Sequence, residues 1–486
     1  MDLSTIVKNI KTREVLNFKD TDIKGISYNS NTINSHEIFV CLKGEHVDGH
    51  DFAQVAFEKG AVALMTERPL NIEIPQLVVE STQESIADLA ALFYHNPSYE
   101  LNLMGVTGTN GKTTVAHLVQ KIFEHDRKKC ALIGTLGYKL SSGDDYLEAK
   151  HTTPQAPQMQ ETLQKILKAD VLNVITEVSS HALEQFRVKN CRFSGAIFTN
   201  LTQDHLDYHI TMENYFNAKA KLFKGLKKGN FAVVNNDDKY ASKLINLIDK
   251  EVTILTCGVK NHSDVMAHDI EFMSDGVSFN CVYKDKKIPF KLHLNGMFSV
   301  YNCLVSIAAG ILNGISLETI KEALEDTRSV AGRFEIIQSN PMVIVDYAHT
   351  PDGLENILRA ARELTPKDGN LICLFGCGGN RDCTKRPKMG EIAQRLCDKI
   401  VITSDNPRSE DPQQIISDIL SGLALINPKT VFVEPDRRLA IKLLKDISKE
   451  NDVLVLAGKG HENYQILADK TIHFDDREEV KKIFGE

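Results

Sequence analysis

The chain has 486 residues, a formal net charge of −8, 42% hydrophobic residues and no Trp. This composition is typical of an ordinary folded protein and excludes the disordered and fibrous classes. The negative charge argues against a broad nucleic-acid-binding surface, and at about 150 residues per domain the length predicts roughly three domains.

No apolar run approaches the roughly 18 residues that a membrane span needs, and Met1-Asp2-Leu3-Ser4 lacks a basic segment followed by an apolar one. We therefore expect a cytoplasmic protein without membrane insertion. The ten Cys residues are scattered, which predicts reduced thiols rather than a disulfide scaffold. Cys373, Cys377 and Cys383 come closest to a cluster but lack the paired spacing of zinc sites, so we interpret them as strand and loop thiols.

The first block, residues 1–98, ends at the turn signal Asn96-Pro97-Ser98. Its apolar runs predict strands at 38–42, 62–65 and 76–79, with a helical pattern at 52–57.

The second block, residues 99–328, begins with an apolar run at 101–106 and the glycine-spaced segment 105–114. Glycines in such a segment let the backbone approach a phosphate closely, Lys112 is suited to bind β and γ oxygens, and the hydroxyls of Thr113 and Thr114 can reach Mg²⁺. Apolar residues at 115, 118, 119, 122 and 123 predict a following helix. The generic spacing would need glycine where Val106 stands, so the segment predicts a triphosphate site with a non-generic loop.

Further apolar runs at 171–178, 196–199 and 231–234 read as parallel strands. Glu177 lies in the first of them, and a carboxylate at a buried strand end needs a cation or a partner. Residues 200–209 are dense in oxygen and nitrogen donors, so Glu177 and His205 are candidates to hold Mg²⁺. The alternative is that Asp204, His205 and Asp207 form a solvated helix cap.

The third block, residues 329–486, has five apolar runs separated by helix-length segments, at 342–345, 371–375, 400–403, 430–433 and 453–457. This alternation predicts a doubly wound α/β sheet with ligands beyond the strand carboxyl ends. Polar segments follow four of these strands, at 346–352, 376–382, 404–411 and 458–462. Arg381, Arg408 and Glu462 would supply two guanidinium groups and a carboxylate to one crevice, a set that suits a zwitterionic amino acid.

These segments together resemble the Mur ligases of peptidoglycan synthesis, whose ATP loop reads like Gly108-Thr-Asn-Gly-Lys-Thr113. The resemblance runs nearly end to end. It also includes 152–154, 177–181, 204–209, 295–298 with Asn302, 332–335 and the four polar segments of the third block. It implies an α/β fold with three domains: a UDP-binding domain at 1–98, a central P-loop-type parallel-sheet domain at 99–328 and a Rossmann-like amino-acid domain at 329–486.

The resemblance implies an ATP-dependent amide ligase that acts on UDP-N-acetylmuramoyl-L-alanyl-D-glutamate through an acyl phosphate, as a monomer with small-molecule substrates. The box Asp405-Asn406-Pro407-Arg408 is similar to that of the branch that adds meso-diaminopimelate. Lanthionine has the same termini at nearly the same reach, so it stays open, as does an L-lysine-adding member. Two alternatives lie outside this branch. A folylpolyglutamate synthetase begins almost directly with its ATP loop, whereas this chain has about a hundred residues before it. A P-loop switch that only binds nucleotide would give the polar segments of the third block no function.

Carried over by position, the resemblance assigns groups of residues to each ligand. The catalytic residues would be Lys112, Glu177, His205 and Lys219. The Mg²⁺ ligands would be Thr113, Glu177, His205 and Lys219, with Lys219 carbamylated. The ATP contacts would be Gly108, Thr109, Asn110, Gly111, Lys112, Thr113, Thr114, Asn302, Arg333, Asp346 and His349. The UDP-substrate contacts would be Ser30, Thr152, Thr153, Ser180, Arg187 and Lys219. The diamino-acid contacts would be Arg381, Asp405, Asn406, Pro407, Arg408, Gly458 and Glu462.

Two of these assignments carry a specific question. The uridine end is expected around Ser30 and the stretch 43–50, but Asn29-Ser30-Asn31 stands where the family usually has Asp-Ser-Arg. Without the family context, Lys219 would be interpreted as a solvated helix lysine.

Overall fold

The computed structural model describes residues 1–44, 47–141, 143–147, 151–273 and 275–485. The chain divides into two compact units, Met1–Gly105 with Lys129–Ala196 and Val106–Lys128 with Ile197–Glu486. The strands of the described residues are β1 (Glu14–Leu16), β2 (Gly25–Ser27), β3 (Glu37–Val40), β4 (Ala61–Thr66), β5 (Gln76–Val78), β6 (Asn102–Thr107), β7 (Cys130–Gly134), β8 (Gly137–Lys139), β9 (Asn173–Glu177), β10 (Gly195–Phe198), β11 (Phe231–Asn235), β12 (Thr253–Gly258), β13 (Val265–Met273), β14 (Gly276–Tyr283), β15 (Lys286–Leu292), β16 (Glu335–Ser339), β17 (Met342–Asp346), β18 (Leu371–Phe375), β19 (Lys399–Ile402), β20 (Val431–Val433), β21 (Val453–Ala457), β22 (Tyr464–Ile466) and β23 (Thr471–His473).

The helices of the same residues are α1 (Leu3–Asn9), α2 (Ala53–Glu58), α3 (Thr82–Phe93), α4 (Lys112–His125), α5 (Ala156–Lys168), α6 (Ser180–Glu184), α7 (Leu206–His209), α8 (Met212–Lys224), α9 (Ala241–Ile245), α10 (Met297–Leu312), α11 (Leu317–Glu325), α12 (Pro351–Leu364), α13 (Lys385–Leu396), α14 (Pro412–Leu420), α15 (Arg437–Ile447) and α16 (Asp476–Phe484). Short 3-10 helices lie at Gly49–Phe52 and Pro97–Tyr99. Among the described helices, none combines the length and the apolar character that crossing a bilayer requires.

The first unit opens on a sheet with strand order β1-β5-β4-β3-β2, in which β2 to β5 are parallel and β1 is antiparallel. Successive residues of β3 face opposite sides, as strand geometry requires. Ile38 and Val40 pack with α1 and α3, and Phe39 packs with α2. The strands and the helix predicted for the first block are confirmed.

The rest of the first unit holds β7, which pairs in parallel with β9 and antiparallel with β8. Ala87 and Ala90 of α3 pack against Ala156 at the start of α5, so small side chains let the two helices approach closely. The apolar run predicted at 171–178 is β9, and Glu177 is its last residue.

The second unit carries the predicted helix after the glycine segment as α4, and the apolar residues that predicted it are buried. Strands β10 to β15 follow in sheet order β15-β14-β13-β12-β11-β10, with β11, β12 and β13 parallel and β13 to β15 an antiparallel meander. The apolar-run argument did not identify β12 to β15. Residues of β15 alternate between buried and exposed, because one face is open to solvent, and continuous apolar runs do not occur there.

The second unit ends in a sheet with strand order β16-β17-β21-β18-β19-β20, parallel except for β16 at the edge. Alternate residues of its strands pack against α12, α13 and α14 on one face and against α15 and α16 on the other. The predicted α/β class with a doubly wound C-terminal sheet is confirmed. The ten cysteines are free thiols, and Cys373 lies in β18 as interpreted.

The carboxyl ends of the central strands of this sheet lie side by side. Ala457 of β21 pairs with Asp346 of β17 on one side and with Phe375 of β18 on the other, and Phe375 pairs with Ile402 of β19. The insertion of β21 between β17 and β18 makes this edge the topological switch point, where open α/β sheets bind ligands.

Candidate active site

The glycine segment between β6 and α4 needs its glycines for steric reasons. Gly108 and Gly111 have φ values of +153° and +86°, and a Cβ at these positions would lie 1.9 Å from Thr199 Oγ1 and 2.4 Å from Asn302 Oδ1. Such a backbone favours glycine. Lys112 begins α4 and donates hydrogen bonds from Nζ to the carbonyls of Gly108 (3.0 Å) and Thr109 (2.8 Å).

The segment after β10 braces this loop. The Asn110 backbone N–H donates to Asn200 Oδ1 at 2.9 Å, and the Thr199 hydroxyl donates to the Asn110 carbonyl at 2.6 Å. The Thr109 hydroxyl donates to the Thr202 carbonyl at 3.1 Å. The loop is therefore held by hydrogen bonds from its own unit.

Lys219 lies against the same loop. Its side chain is 3% exposed, and Nζ donates to the Gly108 carbonyl at 2.8 Å and lies 4.6 Å from the centre of the Tyr215 ring. Burial and the neighbouring Lys112 hold the pKa of Lys219 well below its usual range, and Asp204 opposes them. The interpretation of Lys219 as a solvated helix lysine is therefore wrong, because α8 turns this face inward.

Asp204 and His205 follow at the start of α7. Asp204 is 4% exposed, and its Oδ2 lies 3.2 Å from His205 Nε2. Burial raises the pKa of Asp204, but His205, Lys385 and His349 together hold it below the usual range. The alternative of a solvated cap is wrong for Asp204, since a capping carboxylate in water would be exposed.

Arg333 contacts the first turn of α4 from the start of the C-terminal region. Its NH2 donates to Thr113 Oγ1 at 2.8 Å, and its guanidinium lies 4.6 Å from the centre of the Tyr347 ring. A cavity of about 260 Å³ adjoins this contact, and its lining includes Thr114, Asn295, Phe298 and Arg333. A heterocyclic ring such as a nucleotide base, with apolar faces and polar edges, suits such a lining.

Asp346 and His349 follow β17 in the same region. Asp346 accepts the backbone N–H groups of Phe334 and Ala348, both at 2.7 Å, and burial raises the pKa of its carboxyl. Burial and the positive charge of Lys385 lower the pKa of His349 to about 4, although Asp204 opposes them. Asp346 therefore holds the backbone at Phe334 and Ala348 in place. His349 Nε2 lies 3.9 Å from Asp204 Oδ2.

The third-block residues converge beyond the strand ends. Asn406 Nδ2 donates to Glu462 Oε2 at 2.8 Å, and Arg408 NH1 donates to the Gly379 carbonyl at 2.8 Å. Burial and the positive charge of Arg381 lower the pKa of Arg408, while Glu462 raises it. Two arginines and one carboxylate thus act on one another in a single crevice.

Asp405, Pro407 and Gly458 shape that crevice through the backbone. Gly458 has φ +113°, and a Cβ there would lie 2.4 Å from Asp405 Oδ2. The Pro407 carbonyl lies 1.9 Å from where a Cβ of Gly379 would be. The loops after β18, β19 and β21 therefore pack together too closely for side chains at these glycines.

Three residues near the crevice were not identified from the sequence. Lys459 Nζ lies 3.0 Å from Glu462 Oε2, and its side chain is fully buried. The buried Arg437 donates to both oxygens of Asp476 (2.8 and 2.7 Å) and to the carbonyls of Ser404 (3.4 Å) and Ala457 (3.1 Å).

The third is Lys385, which is buried at the start of α13. Lys459 lies inside the 458–462 segment, and Lys385 follows shortly after the 376–382 segment. Closeness to these polar segments is the one feature of the sequence that could have pointed to the two lysines as site residues. Burial of a lysine cannot be read from one sequence.

Hydrogen bonds in the first unit bring together four of the residues assigned to the UDP substrate and the metal. The backbone N–H and hydroxyl of Thr135 both donate to the Glu177 carboxylate (2.9 and 3.0 Å), and Thr135 Oγ1 lies 3.2 Å from the hydroxyl of Thr152. Thr153 Oγ1 donates to the Glu177 carbonyl, and Arg187 NH1 donates to the Thr153 carbonyl at 3.0 Å. Ser180 begins α6 just beyond.

Ser30 is buried in the same unit, and Lys59 Nζ donates to its carbonyl at 2.9 Å. No hydrogen bond found among the described residues joins Ser30 to the Thr152–Arg187 group. Within the stretch 43–50, Glu45 and His46 lie outside the described residues. His50 is buried and accepts the Glu67 backbone N–H at 2.9 Å.

The fold and site define an α/β protein with a glycine loop ahead of a helix and a charged crevice at the edge of a doubly wound sheet. The chain belongs to the Mur ligase family. Three family models match it: "Mur ligase family, catalytic domain" over residues 22–97, "Mur ligase middle domain" over 106–310 and "Mur ligase, glutamate ligase domain" over 332–460.

The chain is 43% identical over 497 residues to the UDP-N-acetylmuramoyl-L-alanyl-D-glutamate–2,6-diaminopimelate ligase of Clostridium botulinum, covering 100% of both chains. A solved structure of a ligase with the same name is 32% identical with a TM-score of 0.66, covering 95% of this chain and 94% of that one. The fold is also that of the Thermotoga maritima MurF ligase solved with ADP, which is 19% identical with a TM-score of 0.64. The match covers 90% of this chain and 95% of that one.

Proposed function

We propose that this chain is an ATP-dependent amide ligase that joins 2,6-diaminopimelate to the D-glutamate γ-carboxylate of UDP-N-acetylmuramoyl-L-alanyl-D-glutamate, in peptidoglycan precursor synthesis. The observation that carries the proposal is the crevice in which Asn406 donates to Glu462 and the charges of Arg381 and Glu462 both act on Arg408. The full-length likeness to ligases of that name supports the same substrates. A monomer in the cytoplasm remains our prediction.

The crevice suits the far end of a diamino acid. That end carries one carboxylate and one ammonium group, and a guanidinium fork binds a carboxylate through two parallel hydrogen bonds. Arg408 and Arg381 supply the cationic side, while Glu462 with Asn406 supplies acceptors for the ammonium. L-lysine has the distal ammonium but lacks the distal carboxylate, so it would leave Arg408 without an anionic partner. The meso isomer is the form that we propose, with lanthionine as the nearest competitor.

The glycine loop and the Arg333 cavity suit ATP. Lys112 and the backbone of residues 108–113 would hold the phosphates at the start of α4, where the helix dipole favours anions. Thr114 and Arg333 line the 260 Å³ cavity, which would take the base and ribose together with Asn302. Asp346 and His349 would close the side toward the amino-acid crevice.

The reaction would proceed in two transfers. An oxygen of the γ-carboxylate attacks the γ-phosphorus of ATP, and the bond to ADP breaks with its electron pair remaining on ADP. The amine nitrogen then attacks the acyl carbon, loses a proton, and the carbon–oxygen bond to phosphate breaks as orthophosphate leaves. Lys112 would neutralise the charge that builds on the transferred phosphoryl group, which is the main task of such sites.

The residues assigned to Mg²⁺ fit it by donor type. Thr113 and Glu177 offer the oxygen atoms that Mg²⁺ prefers, and His205 adds a nitrogen. Among the described residues, no group of three or more His, Cys, Asp or Glu side chains is arranged around a metal position. When bound, Mg²⁺ would neutralise phosphate charge.

Carbamylation of Lys219 is part of the proposal. Carbon dioxide reacts with a neutral amine, forming a nitrogen–carbon bond and releasing a proton. The lowered pKa of the buried Lys219 favours that neutral form. The carbamate would convert a cation beside the Gly108 carbonyl into an oxygen donor for Mg²⁺.

The UDP substrate would bind the Thr152, Thr153, Ser180 and Arg187 group of the first unit, with Ser30 toward the uridine.

The deciding experiment is ADP release with ATP, Mg²⁺ and UDP-N-acetylmuramoyl-L-alanyl-D-glutamate, tested with meso-diaminopimelate, lanthionine, L-lysine, L-ornithine or no amine. We expect release to depend on the acceptor and to be fastest with meso-diaminopimelate. L-lysine as the best amine would overturn the diamino-acid assignment. Slow release that ignores both acceptor and amine would indicate a nucleotide switch, and release that needs a folate and glutamate would indicate a folylpolyglutamate synthetase.

A further inference from the structure

Lys385 is a buried lysine whose ammonium group has no hydrogen-bond partner in the described chain. It is the first residue of α13, it is 5% exposed, and the nearest anion to its Nζ is Asp204 Oδ1 at 3.8 Å. That separation exceeds hydrogen-bonding distance. Burying a lysine side chain without a direct hydrogen bond to an anion costs free energy, which the more distant charge of Asp204 offsets in part.

The position on the helix adds to this cost. The amino end of a helix carries the positive end of the dipole, which disfavours a cation in the first turn. Thr384, just before Lys385, is already fixed by Asp382, which accepts its backbone N–H at 2.9 Å. Lys385 therefore does not serve to cap α13. The helix dipole and the ammonium together create a site that favours an anion.

Asp204 alone cannot satisfy the groups around it. Its Oδ1 accepts the His205 backbone N–H at 2.9 Å, and its Oδ2 lies 3.2 Å from His205 Nε2 and 3.9 Å from His349 Nε2. One carboxylate thus faces two imidazoles and the Lys385 ammonium. Lys385 lies beyond hydrogen-bonding distance of this carboxylate and can donate to a further oxygen atom.

Asp204 also connects this group of side chains to the glycine loop. It acts electrostatically on Lys219, whose Nζ donates to the Gly108 carbonyl at 2.8 Å. Tyr215 contacts both parts, with its hydroxyl 3.3 Å from Thr109 Oγ1 and its ring centre 6.2 Å from that of His205. Thr109 of the loop also donates to the Thr202 carbonyl at 3.1 Å. Asp204, the anion nearest to Lys385, therefore lies in the segment that packs beside the loop proposed to hold the phosphates.

We infer that Lys385 binds oxygen atoms of the phosphoryl group that is transferred in the reaction, first in the acyl phosphate and then in the departing orthophosphate. This inference rests on the proposed function. As the amine nitrogen forms its bond to the acyl carbon, the carbon–oxygen bond to phosphate breaks and the electron pair stays on the phosphate oxygen. An ammonium aimed at that oxygen stabilises the charge that develops there.

A purely structural role, in which Lys385 only balances the charge of Asp204, makes a different prediction. Its loss would then lower stability without a selective effect on phosphate. The chain offers a matched control in Lys388, which lies on the same helix, is exposed and hydrogen-bonds Gln203. Lys385→Met and Lys388→Met each remove one positive charge from α13.

The test is the binding of inorganic phosphate to the enzyme in the presence of ADP and Mg²⁺, measured by calorimetry. We expect Lys385→Met to weaken phosphate by about tenfold to a hundredfold while ADP binds as before, and Lys385→Arg to recover part of the loss. Lys388→Met should bind phosphate like the wild type. Unchanged phosphate affinity in Lys385→Met, or an equal loss in Lys388→Met, would overturn the inference.

Measuring ADP release during turnover distinguishes a failure of this inference from a failure of the proposed function. In ADP release with the full set of substrates, we expect Lys385→Met to lower kcat and leave the KM values of ATP and diamino acid within about twofold. A wild-type enzyme that ignores acceptor and amine would refute the ligase proposal, whereas the phosphate titration would still decide the role of Lys385. If Lys385→Met unfolds, Lys385→Gln is titrated in its place. Weaker phosphate binding with unchanged ADP binding supports the inference, and wild-type phosphate affinity refutes it.

Discussion

Lys459 and Glu462 form a buried ion pair at the centre of the amino-acid crevice, with Lys459 Nζ 3.0 Å from Glu462 Oε2. Asn406 donates to the same carboxylate oxygen at 2.8 Å. Burial and the charge of Asp405 raise the pKa of Glu462, while Lys459 and Asn406 oppose that rise. Lys459 thereby helps Glu462 to remain an anion that can receive an ammonium group.

Replacing Lys459 by methionine should weaken the diamino acid selectively. The change leaves Glu462 buried without its cation, and breaking a buried pair in this way costs about 3 to 5 kcal/mol of stability. We expect the KM of the diamino acid to rise by at least about tenfold, with the KM of ATP unchanged. Steady-state kinetics and urea unfolding measure the two effects.

A double variant, Lys459→Met with Glu462→Gln, removes both charges of this pair. It should recover most of the lost stability but not the affinity for the amine, because the acceptor for the ammonium is then gone. Equal losses for ATP and diamino acid in the single variant would contradict a specific role for Lys459.

Lys112→Ala should abolish ADP release and spare the binding of the UDP substrate. Loss of a cation that faces the transferred phosphoryl group costs about a hundredfold to a thousandfold in kcat at comparable sites. Lys121→Ala, on the same helix α4, is the matched control and should keep near wild-type turnover. Turnover that survives in Lys112→Ala would refute the assignment of the glycine loop to ATP.

Arg408→Ala should weaken the diamino acid far more than ATP or the UDP substrate. A charged hydrogen bond lost from a bound carboxylate costs about 1.5 to 3 kcal/mol. Arg408 also has φ +54° and donates to the Gly379 carbonyl, so Arg408→Asn, whose side chain tolerates this backbone, separates backbone strain from loss of charge. Similar effects on all three substrates would exclude a direct contact with the carboxylate.

His461 predicts a pH dependence of stability. Burial and the nearby Arg333 and Arg477 lower the pKa of His461 to about 3, and its Nδ1 is buried without a hydrogen-bond partner in the described structure. The unfolded chain, with a pKa near 6.5, therefore binds more protons than the folded chain between about pH 3 and pH 6.5. Stability from this group is present above pH 6.5 and is lost as the pH falls.

Between pH 6.5 and pH 5, His461 should account for a loss of about 1.6 kcal/mol in the free energy of unfolding. His461→Asn should lose correspondingly less over that interval, as measured by chemical denaturation at each pH. His262→Asn, at an exposed position, is the control and should follow the wild type. A His461→Asn profile parallel to that of the wild type would show that the imidazole is not kept neutral in the folded chain.

Parallel strands such as β18 and β21 were predictable because each is a continuous apolar run whose residues are all buried. The parallel strands β7 and β12 were not identified. The meander β13 to β15 was not, since its residues alternate between core and solvent and produce no such run. The positions of Asn406, Arg408 and Glu462 followed from one rule: polar residues after parallel strands meet at one edge of the sheet.

What the sequence did not reveal depends on burial and on contacts distant along the chain. Lys219, Lys385 and Lys459 look like surface lysines in the sequence alone, and only the packing of their helices and loops turns them inward. Arg437 lies far from the 404–411 and 458–462 segments in the chain. It nevertheless hydrogen-bonds Ser404, the first residue of one segment, and Ala457, the residue just before the other. A contact between residues distant along the chain produces no periodic pattern in the sequence around either residue.

The Arg437–Asp476 pair holds the carbonyls of Ser404 and Ala457 without touching the proposed diamino-acid contacts. The two loops are therefore anchored by an ion pair outside the proposed contact set, in addition to the hydrogen bonds that Asn406 and Arg408 make themselves. We expect substitutions that keep those two hydrogen bonds to change which amine is accepted while Ser404 and Ala457 stay anchored. A lineage, or a protein engineer, would then reach a new amino-acid preference without redesign of the scaffold.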